Sequence, residues 1–301
     1  MFSNKTGLFR EAKQAKVLPN IILCLFWVLL FLIGGQGIGE ILAHFTKKII
    51  GNNPSVLLLN QLICGFIFIT LLVFARVKFR EKRTISSMGL KKEGFIKKYL
   101  TGFGIGILMF SIVVLLLSVS GHTVVNSNPV GLSGIAALSG VLIVIPGWMI
   151  QSGTEEILSR GWFMNVLGAR YNVAVGLIVS STFFGFMHLG NPNVSILAII
   201  NIVLVGLFFG LYVIKTKDLW GACGLHAAWN WTQGNVFGFE VSGLKVPTGS
   251  LINLKLTGAE WFTGGLFGPE AGMAATIVLC IGIVIVYFIP LHRKLGSARS
   301  L

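Results

Sequence analysis

The stretch SGIAALSGVLIVIPGWMIQSGTEEILSRGWFMNVLGAR, residues 133–170, decides the fold. Its helical character runs from Ser133 to Arg170, far beyond the roughly 20 residues that cross a hydrocarbon core of about 30 Å. The segment therefore has to tilt, break or protrude, and Pro146, Gly147 and Gly153 offer places to kink. Its apolar part ends at two adjacent carboxylates, Glu155 and Glu156. A charge at bilayer depth costs about 2.5–3.5 kcal/mol on insertion scales, so such residues face a protein interior and serve a purpose there. The pair is a candidate reaction centre.

Working outward, the remaining sequence reads as an all-α, polytopic membrane bundle. The chain has 301 residues, of which 54% are hydrophobic and 11% charged, too few charges to clothe a soluble globule. Eight apolar runs lie near residues 19–45, 55–76, 99–120, 134–153, 172–190, 194–214, 218–238 and 271–290, so about eight transmembrane helices are expected. They form one membrane domain, 1–301, with no appendage large enough for its own core. The first run is too long for a cleaved signal and is read as a span.

The formal charge is +14, but the basic residues cluster in alternate connections. Lys5, Arg10, Lys13 and Lys16 precede the first run; Arg76, Lys78, Arg80, Lys82, Arg83, Lys91, Lys92, Lys97 and Lys98 fill the second connection. Arg160 and Arg170 follow the fourth run, Lys215 and Lys217 the sixth, and Arg293, Lys294 and Arg299 the last; only Lys47-Lys48 runs against the pattern. The positive-inside rule then places both termini in the cytoplasm and the protein in the cell membrane as a multi-pass protein. The charge is topology plus contact with the anionic lipid bilayer, and nucleic acid is excluded as a partner. Cys24, Cys64, Cys223 and Cys280 stand singly on apolar runs and read as small buried hydrophobes.

Glycines at i, i+4, as in Gly35/Gly39 and Gly102/Gly106, read as helix-packing devices. The run Gly264-Gly265-Leu266-Phe267-Gly268-Pro269 is turn-like and belongs to a long outer loop, 239–270, which dips partly into the bilayer. It lacks the ending of a phosphate-binding loop.

Helical arithmetic brings polar residues to one level. With a turn near Tyr171, Glu155 lies 16 residues before it and His188 lies 17 after it. Each is about 24 Å from the turn along its helix axis, about 14 Å deep if the hairpin protrudes about 10 Å. His226, nine residues beyond Lys217, falls at roughly 13 Å. Glu155 and His188 are thus expected as partners. Glu156 and Arg160 are i, i+4, the favourable order for an ion pair. His226 and Asn230 share a helix face and offer two donors suited to an oxyanion. Glu40 either sits near the outer interface or lines the cavity, and Asn201 reads as an interhelical hydrogen bond. Trp162, Phe184, Phe186, Trp229 and Trp231 read as packing and interface anchors, and His44, His122 and His292 as packing or interfacial residues.

The run Glu155-Glu156-Ile157-Leu158-Ser159-Arg160-Gly161, then Phe184-Gly185-Phe186-Met187-His188, then His226-Ala227-Ala228-Trp229-Asn230 resembles the motifs EExxxR, FxxxH and HxxxN of the CAAX protease and bacteriocin-processing (CPBP) family. The resemblance covers about 133–238, and Ser159 departs from the Phe that many members carry. It implies a membrane-embedded endopeptidase acting on a peptide or membrane-protein substrate. On that resemblance Glu155 is the general base, His188 orients the water or shares its proton, His226 with Asn230 stabilises the oxyanion, and Glu156 with Arg160 gives support.

Two alternatives stay open. Glu155, His188 and His226 are the residue types of a catalytic zinc site, although the H-E-x-x-H spacing is absent and Asn230 then lacks a role. The preferred reading uses no cofactor. The second alternative is non-catalytic, a membrane immunity or signalling partner whose polar cluster glues helices together. A transporter is disfavoured because no pair of interrupted helices recurs in the two halves. Access to the cavity is expected from the cytoplasm.

Overall fold

The computed structural model describes residues 7–127, 129 and 131–288. Lys5, His292, Arg293, Lys294 and Arg299 lie outside them. The elements in chain order are α1 (Gly7–Lys13), α2 (Ile21–Ile50), α3 (Pro54–Ala75), α4 (Phe95–Val119), β1 (Thr123–Val125), α5 (Leu138–Ile143), α6 (Ile145–Glu156), α7 (Asn165–Arg170), α8 (Val173–Phe186), α9 (Ile196–Thr216), α10 (Trp220–Trp231), β2 (Leu254–Leu256), α11 (Glu260–Thr263) and α12 (Met273–Phe288). The chain is an all-α membrane bundle, its described sheet being the antiparallel β1–β2 pair.

Each of the eight expected runs is helical, but they differ in length. Ile21–Ile50, Pro54–Arg80, Phe95–Val119 and Ile196–Thr216 are long and apolar enough to cross a membrane. The fourth run is a bent pair, Gly134–Ile143 and Ile145–Arg170, with an angle of 48°. The break falls at Val144, and Pro146 stands in the first turn of the helix that follows, where its missing N–H cannot continue the hydrogen-bond ladder of the helix before it. Gly153, the other expected kink, stays inside α6. Val173–Phe186 and Met273–Phe288 are shorter apolar helices, and α10 continues only as far as Val236 through a wide turn. The bundle therefore mixes full spans with helices that stop inside it. Similar wide, π-helical turns occupy Arg76–Arg80 and Ile157–Met164.

Glycine sets the closest helix contacts. A Cβ at Gly102 would strike the Gly221 carbonyl oxygen, and one at Gly106 that of Leu225, so α4 and α10 touch backbone to backbone. Gly39 abuts Cys64 on α3 in the same way. Cys24, Cys64 and Cys223 are buried as expected, whereas Cys280 is exposed on the outside of α12. The side chain points away from the packed face, where lipid solvates a thiol as readily as a core does.

Polar ties organise the basic end. Glu81, fully buried, pairs with Arg83 at 2.7 Å and Arg76 at 3.4 Å and accepts from Trp162 Nε1 at 2.7 Å. Lys98 pairs with Asp218 at 2.7 Å, and Asn165 donates to the Ser87 carbonyl at 3.0 Å. The connection 76–98 is thus folded against α7 and the start of α10 and is more than a charged strap. At the other end, Asn201 donates to the carbonyls of Glu270 and Gly272 at 2.8 and 2.9 Å and accepts from Thr276 Oγ1 at 2.7 Å, the last joining α9 to α12 as an interhelical bond should.

Candidate functional site

A cavity of about 530 Å³ opens among α2, α3, α6, α8, α9 and α10. Glu155, His188, His226 and Asn230 all line it. Glu156 and Arg160 do not; their side chains are 0% and 1% exposed, against 18% for Glu155. Adjacent residues on a helix diverge by about 100°. One carboxylate of the pair therefore faces the cavity, and the other faces the helix packing.

Each carboxylate is held by its own set of partners. Glu155 Oε1 accepts from Gln151 Nε2 at 2.6 Å, one helical turn earlier, which leaves Oε2 directed toward His226 Nε2 at 3.8 Å. Glu156 Oε1 accepts from Arg160 Nη1 at 2.8 Å and from His226 Nδ1 at 3.0 Å. The Arg160 guanidinium lies over the ring of Phe184 at 4.3 Å, a cation–π contact that fixes its plane. The wide turn 157–164 begins immediately after the pair, and Ser159 within it hydrogen-bonds the Glu155 carbonyl and accepts from Arg160. Such turns inside helices recur where side chains must be re-aimed.

These bonds decide which ring nitrogens carry protons. A carboxylate paired to arginine accepts only, so His226 Nδ1 is the donor to Glu156 and Nε2 is the nitrogen presented to the cavity. His188 Nδ1 likewise donates to the Phe184 carbonyl at 2.8 Å, leaving the Nε2 lone pair as an acceptor. Phe184 and Phe209 flank His226 at ring-centroid distances of 6.3 and 5.3 Å and keep that corner apolar.

The expected partnership of Glu155 with His188 takes a different form. The two line one cavity, but the carboxylate is held by Gln151 and approaches His226, and His188 is bonded to its own chain. The reason is that α8 ends at Phe186, so His188 sits in the turn beyond it and its ring folds back on the last helical carbonyls. Asn230 Nδ2 donates to Gln151 Oε1 at 3.1 Å and Ser152 Oγ at 3.4 Å. Gln151 thus links the base candidate to the carboxamide. It was legible as a polar residue four places before Glu155 in an apolar run, yet the sequence reading passed over it.

Three other cavity residues were also missed or left undecided. Glu40 lines the cavity, as does Lys245 from the outer loop. Glu270 lines it too, with Oε1 accepting from Ser242 N at 2.5 Å and Gln233 Nε2 at 3.2 Å. Burial pushes the Glu270 carboxyl above its usual range, although the hydrogen bonds from Ser242 and Gln233 oppose the shift. Of the aromatic residues, Trp162 is fully buried and Trp231 Nε1 bonds the Val141 carbonyl at 2.9 Å, whereas Phe184 and Trp229 line the cavity. Phe186 is exposed on the outside of the bundle.

Among the described residues no three His, Cys, Asp or Glu side chains converge closely enough to hold a metal. The Nδ1 bonds of His188 and His226 leave both Nε2 atoms turned to other partners, as a metal site would also require. The loop 241–246 borders the cavity, at the end of the molecule away from the basic connections.

Neither a curated protein nor a solved structure matches the chain. Residues 136–232, about one third of the chain, match the family model described as Type II CAAX prenyl endopeptidase Rce1-like, and the resemblance read from the EExxxR, FxxxH and HxxxN motifs is thereby borne out over the segment that carries all three.

Proposed function

We propose that this membrane protein is an endopeptidase that hydrolyses a peptide bond in a peptide or membrane-protein substrate without a metal ion. One observation carries the reading: Glu155, His188, His226 and Asn230 line a single cavity, whereas Glu156 and Arg160 are buried behind it. The location we assign is the cell membrane, with both termini cytoplasmic.

The steps follow from the hydrogen bonds. Glu155 Oε2 takes a proton from water, and the water oxygen attacks the scissile carbonyl carbon. His188 Nε2, an acceptor in its neutral form, holds the second water proton and fixes the direction of attack. Proton transfer by a placed base contributes about 10²–10⁴-fold. The carbonyl oxygen becomes an oxyanion and accepts from His226 Nε2 and from Asn230 Nδ2, which gives up its long 3.4 Å bond to Ser152 Oγ to make this one. His226 serves as a donor there only as the imidazolium, because Nδ1–H is already given to Glu156. Each oxyanion donor in a dry site is worth about 10²–10³-fold. Collapse of the tetrahedral centre breaks the C–N bond, and the leaving nitrogen takes the proton from Glu155, yielding a carboxylic acid and an amine.

Glu155→Gln tests the scheme. The variant is nearly isosteric and retains an acceptor for Gln151, so it should accumulate in the membrane at the wild-type level and lose hydrolysis. A Glu155→Gln protein with full activity sinks the proposal.

A further inference from the structure

Every segment lining the cavity belongs to the end of the molecule away from the basic connections. No lining residue falls within 70–147, 159–183 or 210–225, and those intervals contain Arg76 to Lys98, Arg160, Arg170, Lys215 and Lys217. On α3 the lining begins at Leu58, about 6 Å from the start of that helix, and ends at Ile69, about 16 Å short of Arg80. The part of the outer loop that borders the cavity is Val241–Val246. Its shape is fixed by Glu270, by Asn191 Nδ2 on the Ser242 carbonyl at 2.9 Å, and by Gly243 N on the Phe267 carbonyl at 2.9 Å.

The mouth is also polar. Gln36 and Glu40 on α2 and Gln61 on α3 are exposed, line the cavity and interrupt helices that otherwise show apolar side chains such as Ile33, Ile38 and Ile41 to the outside. Facing lipid, a carboxylate and two carboxamides would be costly; facing an aqueous mouth they are solvated. Lys245, exposed on the loop, supplies a positive charge at the same rim.

We infer that substrate enters this cavity from the face opposite the basic connections and is an extended polypeptide segment on the non-cytoplasmic side, rather than a cytoplasmic tail. The inference rests on the proposed hydrolysis for the substrate, and on the charge rule for which side is cytoplasmic. A cavity of about 530 Å³ with apolar walls and a polar rim takes a few residues of extended chain, so an exported peptide or the outer segment of a membrane protein fits, and a folded domain does not.

Cysteines introduced one at a time in a Cys280→Ser background, whose remaining Cys24, Cys64 and Cys223 are buried and whose labelling without an introduced cysteine is the blank, test the entry side. Gln36→Cys and Gln61→Cys report on the cavity, Lys92→Cys on the basic side and Lys255→Cys on the opposite side. A charged, membrane-impermeant methanethiosulfonate is added to one side of sealed vesicles. The expected result is modification of both cavity cysteines from the side that modifies Lys255→Cys, and none from the Lys92→Cys side. Modification from the Lys92 side, or from neither side, overturns the inference. Labelling needs no turnover, so it can fail while hydrolysis stands. The second arm compares membrane and exported peptides from cells with wild-type and Glu155→Gln protein. Cut sites confined to non-cytoplasmic segments support the substrate assignment; cuts in cytoplasmic tails, or identical patterns in both strains, overturn it.

Discussion

Exchanging the roles of two adjacent glutamates is the sharpest test of the site, because the structure assigns their side chains opposite costs. Arg160 is 1% exposed, and among the described residues its ion-pair partner is Glu156 at 2.8 Å. Removing one member of a buried pair costs about 3–5 kcal/mol because the other charge stays buried and uncompensated. In Glu156→Gln the carboxamide oxygen still accepts a hydrogen bond worth about 0.5–1.5 kcal/mol, which leaves a net loss of about 2–4 kcal/mol. Phe184 and Phe209 remain over the guanidinium, but those contacts exist in both proteins and cancel in the difference. Glu155→Gln leaves no buried cation unpaired, so its stability should lie within about 1 kcal/mol of wild type, while hydrolysis drops by about 10²–10⁴. The assay is thermal unfolding of both purified variants in detergent, with membrane accumulation, followed by hydrolysis of a quenched peptide. If Glu156→Gln melts with wild type and loses hydrolysis while Glu155→Gln is the unstable variant, the assignment of the two carboxylates is reversed.

Other outcomes follow from the same contacts. Hydrolysis by purified protein should survive excess chelator; full loss restored by added zinc would refute the metal-free scheme. Gln151→Leu should lower the turnover rate by about tenfold or more with little change in accumulation, since it frees Glu155 Oε1 and Asn230 Nδ2 together; an unchanged rate would remove Gln151 from the site. Glu270 has a carboxyl pKa raised by burial above its ordinary 4.5, so its burial costs nothing while it is protonated in both states and destabilises the fold as pH rises above that value. Glu270→Gln should therefore melt like wild type near pH 4 and higher than wild type at pH 8; equal melting at both pH values would refute the shift. Gly106→Val should destabilise the protein strongly, because a side chain there meets the Leu225 carbonyl across α4 and α10, and normal accumulation would contradict the close approach.

Much of this was legible in the sequence where covalent spacing fixes geometry. The i, i+4 relation made Glu156 and Arg160 partners, and the same spacing put His226 and Asn230 on one face. The proline at 146 announced the break, and the glycine pairs announced the helix contacts. What escaped depends on where helices stop. Counting residues from Tyr171 placed His188 at the level of Glu155, but α8 ends at Phe186 and the ring turns to the Phe184 carbonyl. Glu270 and Lys245 come to the cavity through a loop that follows all three motifs, and no periodicity in the sequence carries that fold-back.

The adjacency of Glu155 and Glu156 is itself the device. An isolated carboxylate facing the cavity would have only its own helix to hold it, while an isolated buried carboxylate could not reach a substrate. Two in succession, about 100° apart, serve both faces of one helix. Gln151 anchors the first through the turn before it, and Arg160 anchors the second through the turn after it. His226 connects them, with Nδ1 on Glu156 and Nε2 toward Glu155. The buried carboxylate therefore fixes the orientation of the imidazole whose other nitrogen faces the reacting atoms. Its cost of burial is offset by Arg160 and returns as orientation at the cavity. It follows that Glu156→Asp should keep the charge that compensates Arg160 and still impair hydrolysis, because the shorter side chain draws its oxygen away from His226. Such a variant, folded and slow, would separate the orienting role of Glu156 from its role in stability. A fully active Glu156→Asp would reduce it to a counter-ion.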